Sequence, residues 1–221
     1  MNSFTEENYL KAIYQLSLKS AKGVSTTALS NRLETKASSV TDMLRKLAAK
    51  SLVNYKKYQG ATLTDEGRAT ALQILRKHRL WEVFLVEKLH FKWDQVHVIA
   101  EELEHIQSDE LIARLDRFLG HPKHDPHGDP IPDEDGNVFH HKDYFLSDLA
   151  AGDTAVIIGV KDSSSKFLQY LDEKGLALGR DFEVLEVTDY DGSMQLQVNS
   201  AALTVSRQVG DNLYVRKTVK A

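Results

Sequence analysis

Apolar side chains recur at helical spacing through the first half of the chain and at strand spacing through its last third. In residues 5–19, Tyr9, Leu10, Ile13, Tyr14, Leu16 and Leu18 fall near one helical stripe, with Thr5 as N-cap and Glu6 and Glu7 in the first turn. A short helix from Thr27 to Leu33, capped by Ser25 or Thr26, and a third from Ala37 or Ser38 to Lys50 follow. The third turns Val40, Met43, Leu44 and Leu47 inward. Residues 52–67 mix β-branched and aromatic positions around Gln59-Gly60 and predict a hairpin. Thr64 then caps a long helix reaching residues 87–89, and further helices are predicted from Trp93 or Asp94 to Ile106 and from Ser108 to Leu119.

All four prolines lie in residues 120–136, among glycines, histidines and acids, which reads as a linker. Beyond it come β runs at 154–160, 182–187, 194–198 and 212–216, one helix at about 163–174, and an Asp191-Gly192 hairpin turn. The expected class is α+β. A winged helix-turn-helix domain spans 1–66, a helical domain 67–120, a Pro/His/Asp-rich linker 121–147 and an SH3-like β domain 148–221.

Composition narrows this frame. The chain has 221 residues and no cysteine, and no apolar run approaches a membrane span. With no export signal visible, a cytoplasmic protein without membrane or small-molecule substrate is expected. The net charge of −4 conceals a segregation. Residues 1–80 carry +8 and residues 81–221 carry −12, so the N-terminal third can steer a polyanion.

Helix, short helix, helix and basic hairpin is the order of a winged helix-turn-helix, whose third helix enters the major groove. Thr26, Ser38, Ser39, Thr41, Asp42, Arg45 and Lys46, with Lys56 and Lys57 in the wing, are the expected contacts to double-stranded DNA. The competing reading is a winged helix used only for protein contacts.

Two helical stretches carry metal-competent side chains. With His97 at zero, Glu101 falls near 40°, Glu104 near −20° and His105 near 80°, at about 100° per residue. His78 and Glu82 form an i, i+4 pair on the preceding helix. Without cysteine, any ion must be held by nitrogen and oxygen, which favours manganese, ferrous iron or zinc.

These features together resemble the diphtheria-toxin-repressor family of metal-dependent transcriptional regulators, including its manganese-transport-regulator branch. The resemblance is carried by residues 7–14, by 38–47, by Leu63-Thr-Asp-Glu-Gly67, by Arg76-Lys-His-Arg-Leu80, by 104–110 and by Asp125-Pro-His-Gly-Asp-Pro-Ile-Pro132, and extends over nearly the whole chain. It implies a homodimer that binds Mn²⁺, or alternatively Fe²⁺ or Zn²⁺, and then represses through operator DNA. It also divides the ligands: Asn8, Glu101, Glu104 and His105 form an effector site, and His78, Glu82 and His97 a second one. Glu101 resembles the manganese branch, where the iron branch has a cysteine. Asn8 departs from both branches by offering a neutral amide oxygen. Lys11 stands where some manganese regulators place a ligating glutamate, so a metal pair of that kind is not expected. Ligands from the C-terminal domain would fall near Ser163 and Lys166, which do not match, with Asp162 the nearest substitute.

Other readings remain open at this point. Glu-x-x-His occurs at Glu87–His90 and Glu102–His105, as in di-iron helical enzymes. A zinc regulator would use His78, His97 and His105. The histidines at 121, 124, 127, 140 and 141 are expected to be solvated loop residues, or weak metal ligands. No phosphate loop or nucleophile motif supports catalysis.

Overall fold

The computed structural model describes residues 2–18, 23–138 and 144–218. The first unit comprises α1 (Phe4–Ser17), α2 (Thr26–Arg32), α3 (Ala37–Ala49) and the hairpin β1 (Val53–Lys56) and β2 (Gly60–Leu63). The cap of α1 is Ser3 rather than Thr5. Its hydroxyl accepts from the Glu6 amide, and the Glu6 carboxylate accepts from the Ser3 amide, so two otherwise orphaned donors are satisfied reciprocally. Leu10, Ile13, Leu29, Val40, Leu44, Leu47 and Ala61 form the buried core of this unit. Val24 pairs with Ala61 and adds a third extended segment beside the wing. The crossing is close: a Cβ on Gly60 (φ 86°) would sit 2.6 Å from the Val24 carbonyl oxygen, so glycine is required there.

The second unit contains α4 (Asp65–Glu87), α5 (Val96–Leu103) and α6 (Asp109–Phe118), packed through Leu80, Val83, Leu85, Val96, Ala100, Ile112 and Leu115. Thr64 caps α4 and Ser108 caps α6, each through its hydroxyl. The helix expected up to Ile106 ends at Leu103, with Glu104 as C-cap. His105 therefore lies beyond the helix. Its position is set by tertiary packing, not by the 100° wheel.

The third unit is a six-stranded antiparallel sheet of order β3-β8-β4-β5-β6-β7. Its members are β3 (Tyr144–Phe145), β4 (Thr154–Val160), β5 (Asp181–Val187), β6 (Met194–Val198), β7 (Ala201–Val205) and β8 (Leu213–Thr218). Helices α7 (Ser165–Lys174) and α8 (Arg207–Gly210) pack with it around Leu146, Ile157, Leu168, Leu171, Val184, Leu196 and Val215. Strands β3 and β7 were not legible in the sequence pattern.

The segment expected to be a spacer is a packed strap. Ile131 enters the helical core. The His127 carbonyl accepts from Val160 N at 2.9 Å, seating the strap on β4. A Cβ on Gly128 (φ 88°) would lie 2.2 Å from the Ile158 carbonyl oxygen, so this approach requires glycine. Prolines favour such extended, preset backbone as much as they favour a loose linker. Among the described residues no helix is long and apolar enough to cross a membrane.

Candidate metal centre and DNA-binding face

Buried charge concentrates where α1, α4, the end of α5 and the strap meet. Glu82 of α4 is 2% exposed and is the hub. Its Oε1 lies 3.1 Å from His78 Nε2 and 3.4 Å from His97 Nδ1, and its Oε2 lies 3.7 Å from His127 Nδ1. His78, Glu82 and His97 can each present a ligand atom to one ion, and so can Glu82, Asp125 and His127. The first group is the trio expected as the second site. Asp125 was not among the expected ligands, and His127 was expected only as a solvated loop residue or a weak ligand. They sit in the Pro-rich stretch whose composition suggested solvated loop, yet they are only 6% and 5% exposed. Burial of two titratable groups in a proline-rich segment has no signature in periodicity, because nothing in such a segment repeats.

The electrostatics follow from this crowding. Burial alone would lower His78, but its hydrogen bonds to Glu104 and Glu82 outweigh that and raise it to about 9. His127 is likewise pushed down by burial and lifted to about 9 by Glu82 and then Asp125. Burial raises Glu82, but contacts with His127, His78 and His97 prevail and hold it well below the usual carboxylate range. Asp125 rises to about 7 through burial and the nearby Asp129 and Glu82 carboxylates, against the pull of Arg79. Without an ion, imidazolium protons hold this carboxylate cluster together.

The four expected effector residues are arranged differently. Glu104 is completely buried. Lys11 Nζ of α1 donates to its two oxygens at 2.6 and 2.7 Å, and His78 Nδ1 lies 2.7 Å from Oε2. Glu101, half exposed, reaches Lys11 Nζ at 3.5 Å. His105 Nδ1 lies 2.6 Å from Glu7 Oε2, with Phe4 stacked on its ring at 4.6 Å, and its Nε2 faces Glu104 Oε1 at 3.9 Å. Asn8 Oδ1 is buried with no hydrogen-bond partner. The structure thus brings Glu101 and Glu104 together on the Lys11 ammonium and turns His105 Nε2 toward Glu104. A buried carboxylate, an imidazole and, on α1, an orphaned buried amide oxygen are donors of the kind a hard divalent cation takes, so the residue types fit a metal. Glu7 and Lys11, one turn apart on α1, belong to this cluster through contacts that the helical wheel of α5 could not reveal.

The expected C-terminal ligands do not converge here. Asp162 lines a cleft of about 730 Å³ shared with His127 and Arg79, while its Oδ1 accepts from Ser164 N. Arg79 ties Asp125 and Asp129 of the strap, at 3.4 and 3.2 Å, and donates to the Pro130 carbonyl. His121 pairs with Asp116 at 2.7 Å, and His124 is exposed. His140 and His141 lie outside the described residues. Glu87 is the last residue of α4 and, like His90, is exposed, so Glu87–His90 is not part of an internal carboxylate bundle.

On the DNA-binding face, Ser38, Ser39, Asp42, Arg45 and Lys46 of α3 are exposed, as are Lys56 and Lys57 of the wing. Thr26 and Thr41 are half-buried, and Thr41 Oγ1 donates to Ala37 O. Arg45 pairs with Asp42 at 3.5 Å. Lys46 and Lys50 reach Glu6 Oε1 at 3.3 and 2.8 Å. Burial would raise Glu6, but these lysines and the Ser3 amide lower it to about 2.

Comparison with known proteins agrees with this three-part architecture. Residues 2–61 match the iron dependent repressor, N-terminal DNA binding domain. Residues 64–133 match the iron dependent repressor, metal binding and dimerisation domain, and residues 145–217 the FeoA domain. An HTH-type transcriptional regulator of Methanocaldococcus jannaschii is 40% identical over 113 residues, 51% of this chain and 90% of that protein. The chain belongs to the iron-dependent repressor family. The iron-dependent repressor IdeR of Mycobacterium leprae is 34% identical over 130 residues, 58% of this chain, and the match spans about half of that repressor (55%). A solved manganese-dependent transcriptional repressor in complex with manganese superposes with a TM-score of 0.84 at 36% identity, covering 96% of this chain and all of that one. These family members are DNA-binding regulators, and the di-iron enzyme reading falls with that.

Proposed function

We propose that this chain is a manganese-responsive repressor that binds operator DNA as a homodimer. The observation that carries the reading is the donor set on α1 and at the end of α5, with the Glu104 carboxylate, the His105 imidazole and the Asn8 amide oxygen all buried, in a chain that has no cysteine. Hard donors of this kind suit Mn²⁺ better than thiolate-seeking ions. The manganese-dependent structural neighbour supports the same reading, while the iron-dependent relatives keep Fe²⁺ as the alternative.

Asn8, Glu101, Glu104 and His105 would hold the effector ion, which supplies two positive charges shared between α1 and the end of α5. His78, Glu82 and His97, joined by Asp125 and His127 of the strap, would hold a second. α1 is the mechanical link. Glu6 grips Lys46 of the recognition helix and Lys50 at its C-cap, and its neighbour Glu7 grips His105. Drawing α1 toward α5 therefore sets the recognition helix relative to the helical domain. In a dimer this alignment governs whether two helices meet successive major grooves. Exposed apolar side chains on the helical unit, Val98, Leu111 and Phe118, supply surface for the second copy.

Fluorescence anisotropy on a labelled promoter of a metal-uptake gene, with Mn²⁺, Fe²⁺ and Zn²⁺ titrated separately, tests the proposal. Tight binding only with Mn²⁺, lost in Glu104→Ala, is expected. Metal-independent binding by the wild type, or a full Mn²⁺ response in Glu104→Ala, would overturn it.

A further inference from the structure

Lys11 is the least expected member of the effector cluster. It is a lysine 5% exposed, on a helix that also buries the carboxylates of Glu6 and Glu7 beside its apolar side chains. Burying an ammonium is costly unless it is paired and hydrogen-bonded. Here it is chelated by both oxygens of Glu104, at 2.6 and 2.7 Å, with Glu101 Oε1 at 3.5 Å. It stands on α1 and its partners stand at the end of α5, so it already makes the helix-to-helix link that a metal ion would make.

From this geometry we infer that Lys11 is a tethered cation, which competes with the effector metal for Glu104 and lowers the affinity of that site. The inference rests on the effector-site reading above and adds the residue that sets its affinity.

Two features support it. A carboxylate has about four acceptor positions. Three contacts already fall on Glu104, one on Oε1 from Lys11 and two on Oε2 from Lys11 and His78. One acceptor position remains, on Oε1, the oxygen that faces His105 Nε2 at 3.9 Å. Charge gives the second argument. Glu101 and Glu104 carry two negative charges, and the ammonium cancels one of them before any dication arrives. Asn8 adds none. At a few ångströms and intermediate dielectric, removing that repulsion is worth at least about tenfold in affinity for a divalent ion.

The test uses the full chain and Mn²⁺ alone, with binding measured by isothermal titration and loss of the free-ion EPR signal. The equivalent that disappears in Glu104→Gln defines the effector class. Lys11→Met should tighten that class about tenfold or more, while Lys11→Arg, which keeps the charge, should leave it near the wild-type value. Lys11→Met should also lower the melting temperature of the metal-free protein, and saturating Mn²⁺ should close that gap. If Lys11→Met fails to give a folded protein by circular dichroism, Lys11→Gln carries the same expectation. Unchanged or weaker effector binding in the neutral variant overturns the inference, as does an unchanged metal-free melting temperature. If Glu104→Gln loses no equivalent, the effector-site reading fails. If it loses one and Lys11→Met does not tighten the class, only the role of Lys11 fails.

Discussion

Glu7 Oε2 lies 2.6 Å from His105 Nδ1, joining the first turn of α1 to the residue just past α5 across 98 positions of sequence. The Gln107 amide donates to the other Glu7 oxygen at 2.9 Å, so the carboxylate is held from two sides. A carboxylate on one ring nitrogen orients an imidazole and leaves the other nitrogen, Nε2, directed at the Glu104 side of the cluster. Glu7→Gln is expected to weaken Mn²⁺ binding at the effector site by roughly 10–100-fold, in the range typical of lost partners behind a metal-ligating histidine. Glu7→Asp should recover part of it. Titration calorimetry on the three proteins checks this, and nitrogen-15 chemical shifts of the His105 ring report whether its tautomer depends on Glu7.

Glu82 is expected to be the most sensitive position of the second cluster. It is 2% exposed and shared by His78, His97 and His127, so Glu82→Gln strands buried imidazolium charge. Breaking a buried charged pair by removing one partner typically costs about 3–5 kcal/mol. Urea denaturation of the metal-free protein should show a loss of this order. Mn²⁺ counting should show one equivalent fewer, with the Glu104-dependent equivalent kept.

The metal-free protein should lose stability as pH rises from about 6.5 toward 9. His78 and His127 have folded values of about 9, above their ordinary 6.5. Their contribution is therefore complete below the unfolded value and is lost as pH passes through the folded one. Asp125, raised from 3.8 to about 7, has the same sign but acts earlier: its neutral form is favoured in the fold, so its contribution is lost as pH rises from 3.8 to about 7. Metal displaces these protons, so Mn²⁺ affinity should rise over the same interval. Melting curves at pH 6 and pH 9, with and without Mn²⁺, should show a drop of several degrees in the metal-free protein and a much smaller one in the loaded protein. A flat metal-free profile would contradict the assigned imidazolium network.

Glu6 would compete with DNA phosphate for Lys46 and Lys50, the lysines it pairs with. With Glu6→Gln, Lys46 and Lys50 are freed, and the slope of log affinity against log salt should steepen by about one. Lys57→Ala in the wing should shallow it by about one. Because the Glu6 carboxyl is lowered to about 2, its contribution to folding is present above the unfolded value near 4.5 and is lost only as pH falls through about 2. Glu6→Gln should accordingly reduce stability at neutral pH. Anisotropy across a salt series and urea denaturation at pH 7 measure the two effects.

Local features of the chain determined its three units. Periodicity located α1, α3 and α4, capping hydroxyls at Ser25, Thr64 and Ser108 marked where helices begin, and Gly60 marked the wing. Those signals are local because a helix or hairpin is built from residues a few positions apart. The i, i+4 pair of His78 and Glu82 was legible for the same reason, and their closeness to His97 followed once two helices were expected to pack. Tertiary structure alone decided that Glu7 meets His105, that Lys11 occupies Glu104, and that Asp125 and His127 leave an apparent linker to close on Glu82. Each of these contacts joins residues between 43 and 98 positions apart, where chain spacing carries no information. What selects them is the high cost of burying charge without a partner, a condition only the assembled fold can satisfy.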